Sequence, residues 1–542
     1  MVASAFAATP QELIEQGRRI YRDGVLPSGE PLRARVAGGA ALMGAQAACQ
    51  NCHRRSGLGT SEGGRVVPSI AGETLFRPRQ PGKLLTSAPV ASAPGARPAY
   101  GASTLTRALN EGIEPAGRTL GELMPRYELD GPSVNALSRY LRTLSTRNSA
   151  GVNANEMHLA TIVTPGIPPS EREALLGVLK AAIHDHNAEI RSDSKRGERP
   201  VMGHSRAYHS FRKWRLHVWE LRGPSDTWGE QLESAMRAQP VFAVLSGVGR
   251  GAWQPIHDFC ERREVPCLFP NTDRPPLETA FYSLYLSRGI ALEADLVAHE
   301  IAQGTRNGSR EVVQIFRDDD EGHARAQALR RSLAPASGVR LTDRTLARGG
   351  SSLSWSKLIK PGTTDVVLWL DRAGVAALGT AGRSTQDRSA FYLSSVLLGG
   401  PEGVPPTLRP AARVVHPFDL PMRWQPRRDY LERWLESHDQ KLAEERVQAN
   451  AYLAMNLFTR SLKHVREPFS QDYLIERIEH GIANSAWRSV YRELSLGSNA
   501  QRFASKGGYV IGWTGADAAT LDARWVIPAV GESKHPVLTR VD

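Results

Sequence analysis

Cys49-Gln50-Asn51-Cys52-His53 is the stretch on which the reading of this chain turns. Two thiols three residues apart, followed at once by an imidazole, form the C-x-x-C-H pattern in which both cysteines make thioethers to a haem and the histidine ligates its iron. A redox C-x-x-C belongs in a thioredoxin-like strand-to-helix context, and a zinc site needs a second pair of ligands; the surroundings favour neither. The pattern predicts one covalent haem c held by Cys49, Cys52 and His53.

Working outward, residues 11–23 carry Leu13, Ile14, Gly17 and Tyr21 at helical spacing, and residues 132–144 carry Val134, Leu137, Tyr140, Leu141 and Leu144 likewise. Two amphipathic helices therefore bracket the motif. Between them the run from Gly112 to Tyr127 places Met124 directly before Pro125, a residue excluded from helix interiors, so its thioether can be offered from a loop. The rival distal ligands are Met43, on the wrong side of the motif, and His158, beyond the last helix. The Pro/Ala/Ser-rich stretch from Arg77 to Tyr100 reads as a surface loop.

In this order of features, residues 10–147 resemble a class I cytochrome c, with the Pro68-Ser69-Ile70-Ala71-Gly72 turn lying between the haem motif and the Met124 loop. The resemblance implies a small all-α domain with His53 as proximal and Met124 as distal iron ligand. It also makes the Pro68 carbonyl the acceptor for the His53 ring N–H. Because the family's haem is attached after export, it implies a periplasmic protein. The stretch from Gly112 to Tyr127 is similar to cytochromes that serve quinoprotein alcohol dehydrogenases.

The chain has 542 residues, which allows several domains, and its 41% hydrophobic and 23% charged residues are those of a soluble globular protein. No apolar run reaches the roughly 18 residues of a membrane span. Met1 to Thr9 has small residues placed as at a leader cleavage site but no basic n-region, and reads as a residual signal or a disordered tail. The net charge of +12 is uneven: residues 10–147 hold 18 basic against 11 acidic residues. Such a surface suits an acidic redox partner, and the absence of zinc-finger or RNA-binding aromatic motifs argues against nucleic acid.

Residues 148–156 read as a linker, after which short β-rich runs alternate with amphipathic helices. The first series runs from Leu159–Val163 to Val265–Phe269. A second starts after Phe281–Leu286 and includes strands at Val312–Phe316, Val339–Leu346, Val366–Leu370 and Phe391–Val396. Helices near 428–437, 443–465 and 472–481 precede a closing strand at Tyr509–Trp513. The alternation predicts two α/β lobes with a cleft at the carboxyl ends of their strands. Residues 157–542 thus form the second module, and to about residue 530 they resemble a type I periplasmic solute-binding protein of the branched-chain amino-acid-binding group.

That resemblance implies a ligand site drawn from Ser246, Gly249, Arg250, Gly251, Asn271, Thr272, Asp273, Asp318 and Asp371. Gly249, Arg250 and Gly251 stand where hydroxyls are expected, so Arg250 suits an anionic solute. Cys260 and Cys267 are spaced for a disulfide in an oxidising compartment, two buried thiols being the alternative. The run from Arg191 to Trp214 is a basic insertion, read as a solvated loop.

No catalytic triad, paired-carboxylate site or phosphate loop marks either module as an enzyme. The expected function is electron transfer from a periplasmic dehydrogenase to the respiratory chain. The alternative is a solute-binding or sensing protein whose haem responds to the ligand.

Overall fold

The computed structural model describes residues 8–36, 38–62, 65–79, 95–196, 212–278, 280–304, 309–347, 358–359, 363–379, 389–463, 465, 468–496, 502–514 and 520–529. The leader-like Met1–Ala7, most of the Pro/Ala/Ser-rich loop and most of the basic insertion lie outside them. The chain divides into two compact units. One runs from the amino terminus to Ala154 and takes in Ser461–Ile478; the rest of the described chain forms the other. Residues 461–478 thus leave the module that the sequence reading had run unbroken from 157 to 542.

In the first unit the helix Pro10–Asp23 starts with a capping box, Thr9 accepting from the Glu12 N–H while the Glu12 side chain accepts from the Thr9 N–H. The helix Gly131–Thr143 is capped by Asp130, which accepts from the Ser133 N–H at 2.9 Å. The two helices cross at Gly17, where an added Cβ would lie 2.1 Å from the Ala136 carbonyl oxygen and 2.7 Å from the Tyr140 Cβ. No side chain fits there. Gly17→Ala is expected to cost about 3 kcal/mol through overpacking, read as a lower urea midpoint.

Ile20, Tyr21, Cys49, Leu105, Leu109, Tyr127, Leu137 and Leu141 share this unit's core. The all-α expectation needs correction. Strands β1 (Arg33–Arg35), β2 (Ala41–Met43) and β5 (Arg126–Tyr127) form an antiparallel sheet, and β3 (Thr60–Glu62) pairs with β4 (Arg65–Val67). At two or three residues each, these strands are too short to leave an alternating pattern in sequence.

The second unit contains two seven-stranded sheets. The first is built from β6 (Glu156–Val163), β7 (Lys213–Glu220), β8 (Ala243–Leu245), β9 (Val248–Gly249), β10 (Cys267–Leu268), β11 (Asn271–Thr272) and β12 (Ser283–Leu284). Its order is β11-β9-β6-β8-β10-β12 with β7 against β6, and every pairing is parallel. The chain bends sharply after β8 and again after β10, where Ser246 (φ 53°) and Phe269 (φ 57°) take left-handed conformations. These bends carry β9 and β11 to the other side of β6.

The second sheet comprises β13 (Arg310–Arg317), β14 (Val339–Leu346), β15 (Asp365–Trp369), β16 (Ala390–Ser394), β17 (Ala412–His416), β18 (Gly508–Thr514) and β19 (Thr520–Val526). The order is β14-β13-β15-β16-β17-β18-β19, parallel up to β17 and antiparallel beyond. Both faces are covered: Val312 and Phe316 join one core, Val313 and Ile315 the other. The strand expected to close the fold is β18, and β19 follows it. Among the described residues no helix is long and apolar enough to cross a membrane.

Candidate functional site

Each unit holds one candidate site. In the first, Gln50–His53 forms a single helical turn after Cys49, so Cys49, Cys52 and His53 share one short element. Cys49 is buried and Cys52 exposed, and both are free thiols. The buried His53 ring sets Nδ1 3.0 Å from the Pro68 carbonyl oxygen. A carbonyl can only accept, so Nδ1 carries the proton and Nε2 keeps its lone pair for a metal. Burial lowers the imidazole pKa, against the opposing pull of the Pro68 carbonyl, which keeps the ring in its metal-binding neutral form.

The path from His53 back to Pro68 depends on Gly59, whose N–H donates to the His53 carbonyl. At φ 77°, with the Val67 carbonyl oxygen 2.1 Å from where a Cβ would sit, only glycine fits there.

Met124 lies in the loop before Pro125, partly buried against the core of this unit. Arg126 ties the loop by donating to the Met124 and Leu120 carbonyls. Of the rival ligands, Met43 is 49% exposed on β2. His158 belongs to the other unit, where its Nδ1 stands 3.0 Å from His217 Nε2. Two ends of the Pro/Ala/Ser-rich loop are described, and Arg79 and Arg97 join them in an antiparallel bridge. The donor set fits a c-type haem: two unbridged thiols three apart, an adjacent imidazole with one nitrogen oriented by a carbonyl, and a thioether in a loop.

The site in the second unit is a small cleft with an internal volume of about 30 Å³. It opens where β11, β16 and β17 end, at the carboxyl side of parallel strands. Asn271, Thr272 and Asp273 reach it because of the bend at Phe269. Pro417 and Phe418 follow β17 directly, and Glu293 comes from the helix Ile290–Gly304. Arg446 and Asn450, four apart on the helix Glu445–Leu462, present one face to the cleft, and Tyr491 completes the polar lining.

Arg446 clasps Asp273 with both terminal nitrogens, at 2.6 and 3.4 Å. Burial pushes the Asp273 carboxyl up, but the Arg446 charge and hydrogen bond outweigh it and leave the pKa below the usual range. The Asp273 charge in turn raises Arg446. Deeper, Glu293 is 2% exposed and accepts from Arg325 and Ser394, each at 2.5 Å. Burial raises its pKa against the attraction of Arg325. The Tyr491 phenol is pushed up to about 12 by burial.

Asn450 donates to the Asn271 Oδ1 at 3.0 Å, and Asn271 donates to Ser246 Oγ and to the Gly247 carbonyl. Asn450, only 4% exposed, also hydrogen-bonds the Tyr491 phenol.

Of the residues expected at the ligand site, Asn271, Thr272 and Asp273 line the cleft. Ser246 stands behind Asn271. Gly249 packs under Trp253, whose ring would be 2.4 Å from an added Cβ. Arg250 pairs with Glu171 while its N–H is held by Thr164, and Gly251 is not among the lining residues. Asp318 pairs with His323 at 2.7 Å, and Asp371 accepts from the Gly374 N–H at 2.9 Å at the start of a helix. Arg250 therefore gives no reason to expect an anionic solute. Sequence reasoning gives no local signal for Glu293, Arg446 and Asn450, which lie within long helices, or for Tyr491, which lies outside any regular element.

Cys260 and Cys267 are joined by a disulfide. Among the described residues no group of three or more His, Cys, Asp or Glu is placed to hold a metal ion.

No protein-family model matches the chain, and no curated protein does either. Among solved structures it is similar to a fatty acid ABC transporter substrate-binding protein from Thermomonospora curvata, at 13% identity and a TM-score of 0.45 over 72% of this chain and 95% of that one. It is similar also to the branched-chain amino acid transporter substrate-binding protein LivJ from Streptococcus pneumoniae, at 9% identity and a TM-score of 0.44 over 69% and 100%. An ABC transporter substrate-binding protein from Sphaerobacter thermophilus gives 12% identity and a TM-score of 0.46 over 69% and 98%.

Proposed function

We propose that the chain is a periplasmic binding protein for a small polar solute, carrying one haem c that responds to the bound state. The observation that carries this reading is the cleft at the strand ends of the second unit, lined by the polar side chains of Asn271, Asp273, Glu293, Arg446, Asn450 and Tyr491. Charges along it are matched internally, Asp273 with Arg446 and Glu293 with Arg325. A small polar solute of no net charge suits it best, because an added net charge would be buried without a counterion.

The test is thermal-shift screening of the full chain against small polar metabolites, followed by calorimetry of any hit. Asn450→Leu is expected to weaken the hit's binding at least about tenfold, the worth of one buried hydrogen bond. A panel without a single hit, or a variant that binds as tightly as the parent, would overturn the reading.

A second reading, an electron carrier fed by a periplasmic dehydrogenase, draws on the His53–Pro68 contact and the two free thiols beside it. Cys49 and Cys52 would anchor the haem, with His53 and Met124 as its axial ligands. When bound, the haem supplies one-electron chemistry. Export is supported by the Cys260–Cys267 bridge, since such bonds persist in oxidising compartments.

A further inference from the structure

The helix Gln471–Asn484 brings a carboxyl group into the first unit that neither function above uses. Glu476 is 5% exposed and accepts from the Ser56 N–H at 2.8 Å and from the Ser56 hydroxyl at 2.6 Å. Ser56 follows His53 by three residues, so their Cα atoms are at most about 11 Å apart. At that distance a buried charge is little screened by salt.

The groups around this carboxyl come from every element packed on it. Arg54 attracts it. Asp472, one turn earlier on the same helix, repels it and is itself paired with Arg22 at 3.3 Å and Arg55 at 3.7 Å. The Tyr21 phenol donates to the Arg54 carbonyl at 2.7 Å, and the Tyr140 phenol accepts from Arg22 at 3.2 Å. Ser145 donates to the Ser56 carbonyl at 2.7 Å, closing the cluster from the other side.

We propose that Glu476 is a proton site coupled to the electron held at the Cys49–His53 turn. The inference rests on the haem-bearing reading. When a reduced mediator of the one-electron class gives up its electron, the positive charge at the site falls by one, and the Glu476 carboxylate takes a proton from solvent to form a neutral carboxyl. Oxidation reverses both transfers, the proton leaving as the electron does. Burial favours the neutral form and pushes the Glu476 pKa up to about 8, against the Ser56 hydrogen bonds and the Arg54 charge. The carboxyl therefore stands ready to change state near neutral pH.

The test is the midpoint potential of the haem-loaded full chain, titrated across pH values on both sides of 8. Because the reduced form binds the proton more tightly, the potential is expected to fall as pH rises through this region and to level off beyond it. Glu476→Gln is expected to lose that fall. Ser56→Ala removes a hydrogen bond that favours the carboxylate, and is expected to move the fall to higher pH. A potential that does not vary with pH in the parent, or one that varies equally in Glu476→Gln, would overturn the proposal while leaving the haem in place. Should Glu476→Gln not fold, an unshifted fall in Ser56→Ala would overturn it. A parent chain without covalent haem would sink the haem-bearing reading itself.

Discussion

Cys49→Ala/Cys52→Ala protein, produced beside the parent in a cell that matures c-type haem, is expected to hold no haem after denaturation, where the parent holds one per chain. The loss is complete because each thioether needs a cysteine sulfur, the double variant has none left at the turn, and the other two cysteines are consumed in their own disulfide. Single variants should differ. Cys52 is exposed, so Cys52→Ala touches the attachment alone, whereas Cys49 is part of the core with Ile20, Leu105 and Tyr127 and its loss also loosens packing. Haem staining of denatured protein reads the first effect and a urea titration the second. Denaturation-resistant haem in the double variant would refute the assignment of these two residues.

Arg325→Met is expected to destabilise the second unit by about 3–5 kcal/mol, because it leaves the Glu293 carboxylate without its counterion. The side chains of Arg325 and Glu293 are 4% and 2% exposed, so water cannot take over the missing charge. Pairing it with Glu293→Gln should recover much of the loss, since no ion is then left alone. The effect of pH has a definite sign. Glu293 has a folded-state pKa raised by burial, and without Arg325 it rises further. The group's contribution to stability is full below the ordinary carboxylate range and is lost as pH climbs through the raised value. The single variant should therefore regain stability on acidification. Denaturant titrations at two pH values check both points, and a midpoint equal to the parent's at neutral pH would contradict them.

Much of the α/β architecture was legible because its strands carry long apolar runs. Val339–Leu346 appears with the bounds read from sequence, and the helix expected near 472–481 lies within Gln471–Asn484. β17 is not legible because its apolar content is the short pair Val414–Val415 between Arg413 and His416, which leaves no apolar run. The turn that holds Cys49, Cys52 and His53 was legible as a contiguous motif. The cleft was not, because its polar lining is assembled from segments far apart in the chain: Asn271 and Asp273 meet Arg446, Asn450 and Tyr491 only through the fold. Asp371 serves a nearby backbone N–H instead, a local use that short acidic side chains often find at helix starts. Asp472 and Glu476 sit in a helix whose charges read naturally as a solvated face, and nothing local marks them as partners for residues 22, 55 and 56.

The measurement that bears most directly on the account is mass spectrometry of the full chain from a haem-maturing periplasm, run once under native and once under denaturing conditions. One haem is expected to remain through denaturation, with a second, small adduct present only in the native spectrum. The bare polypeptide mass in both spectra would contradict it.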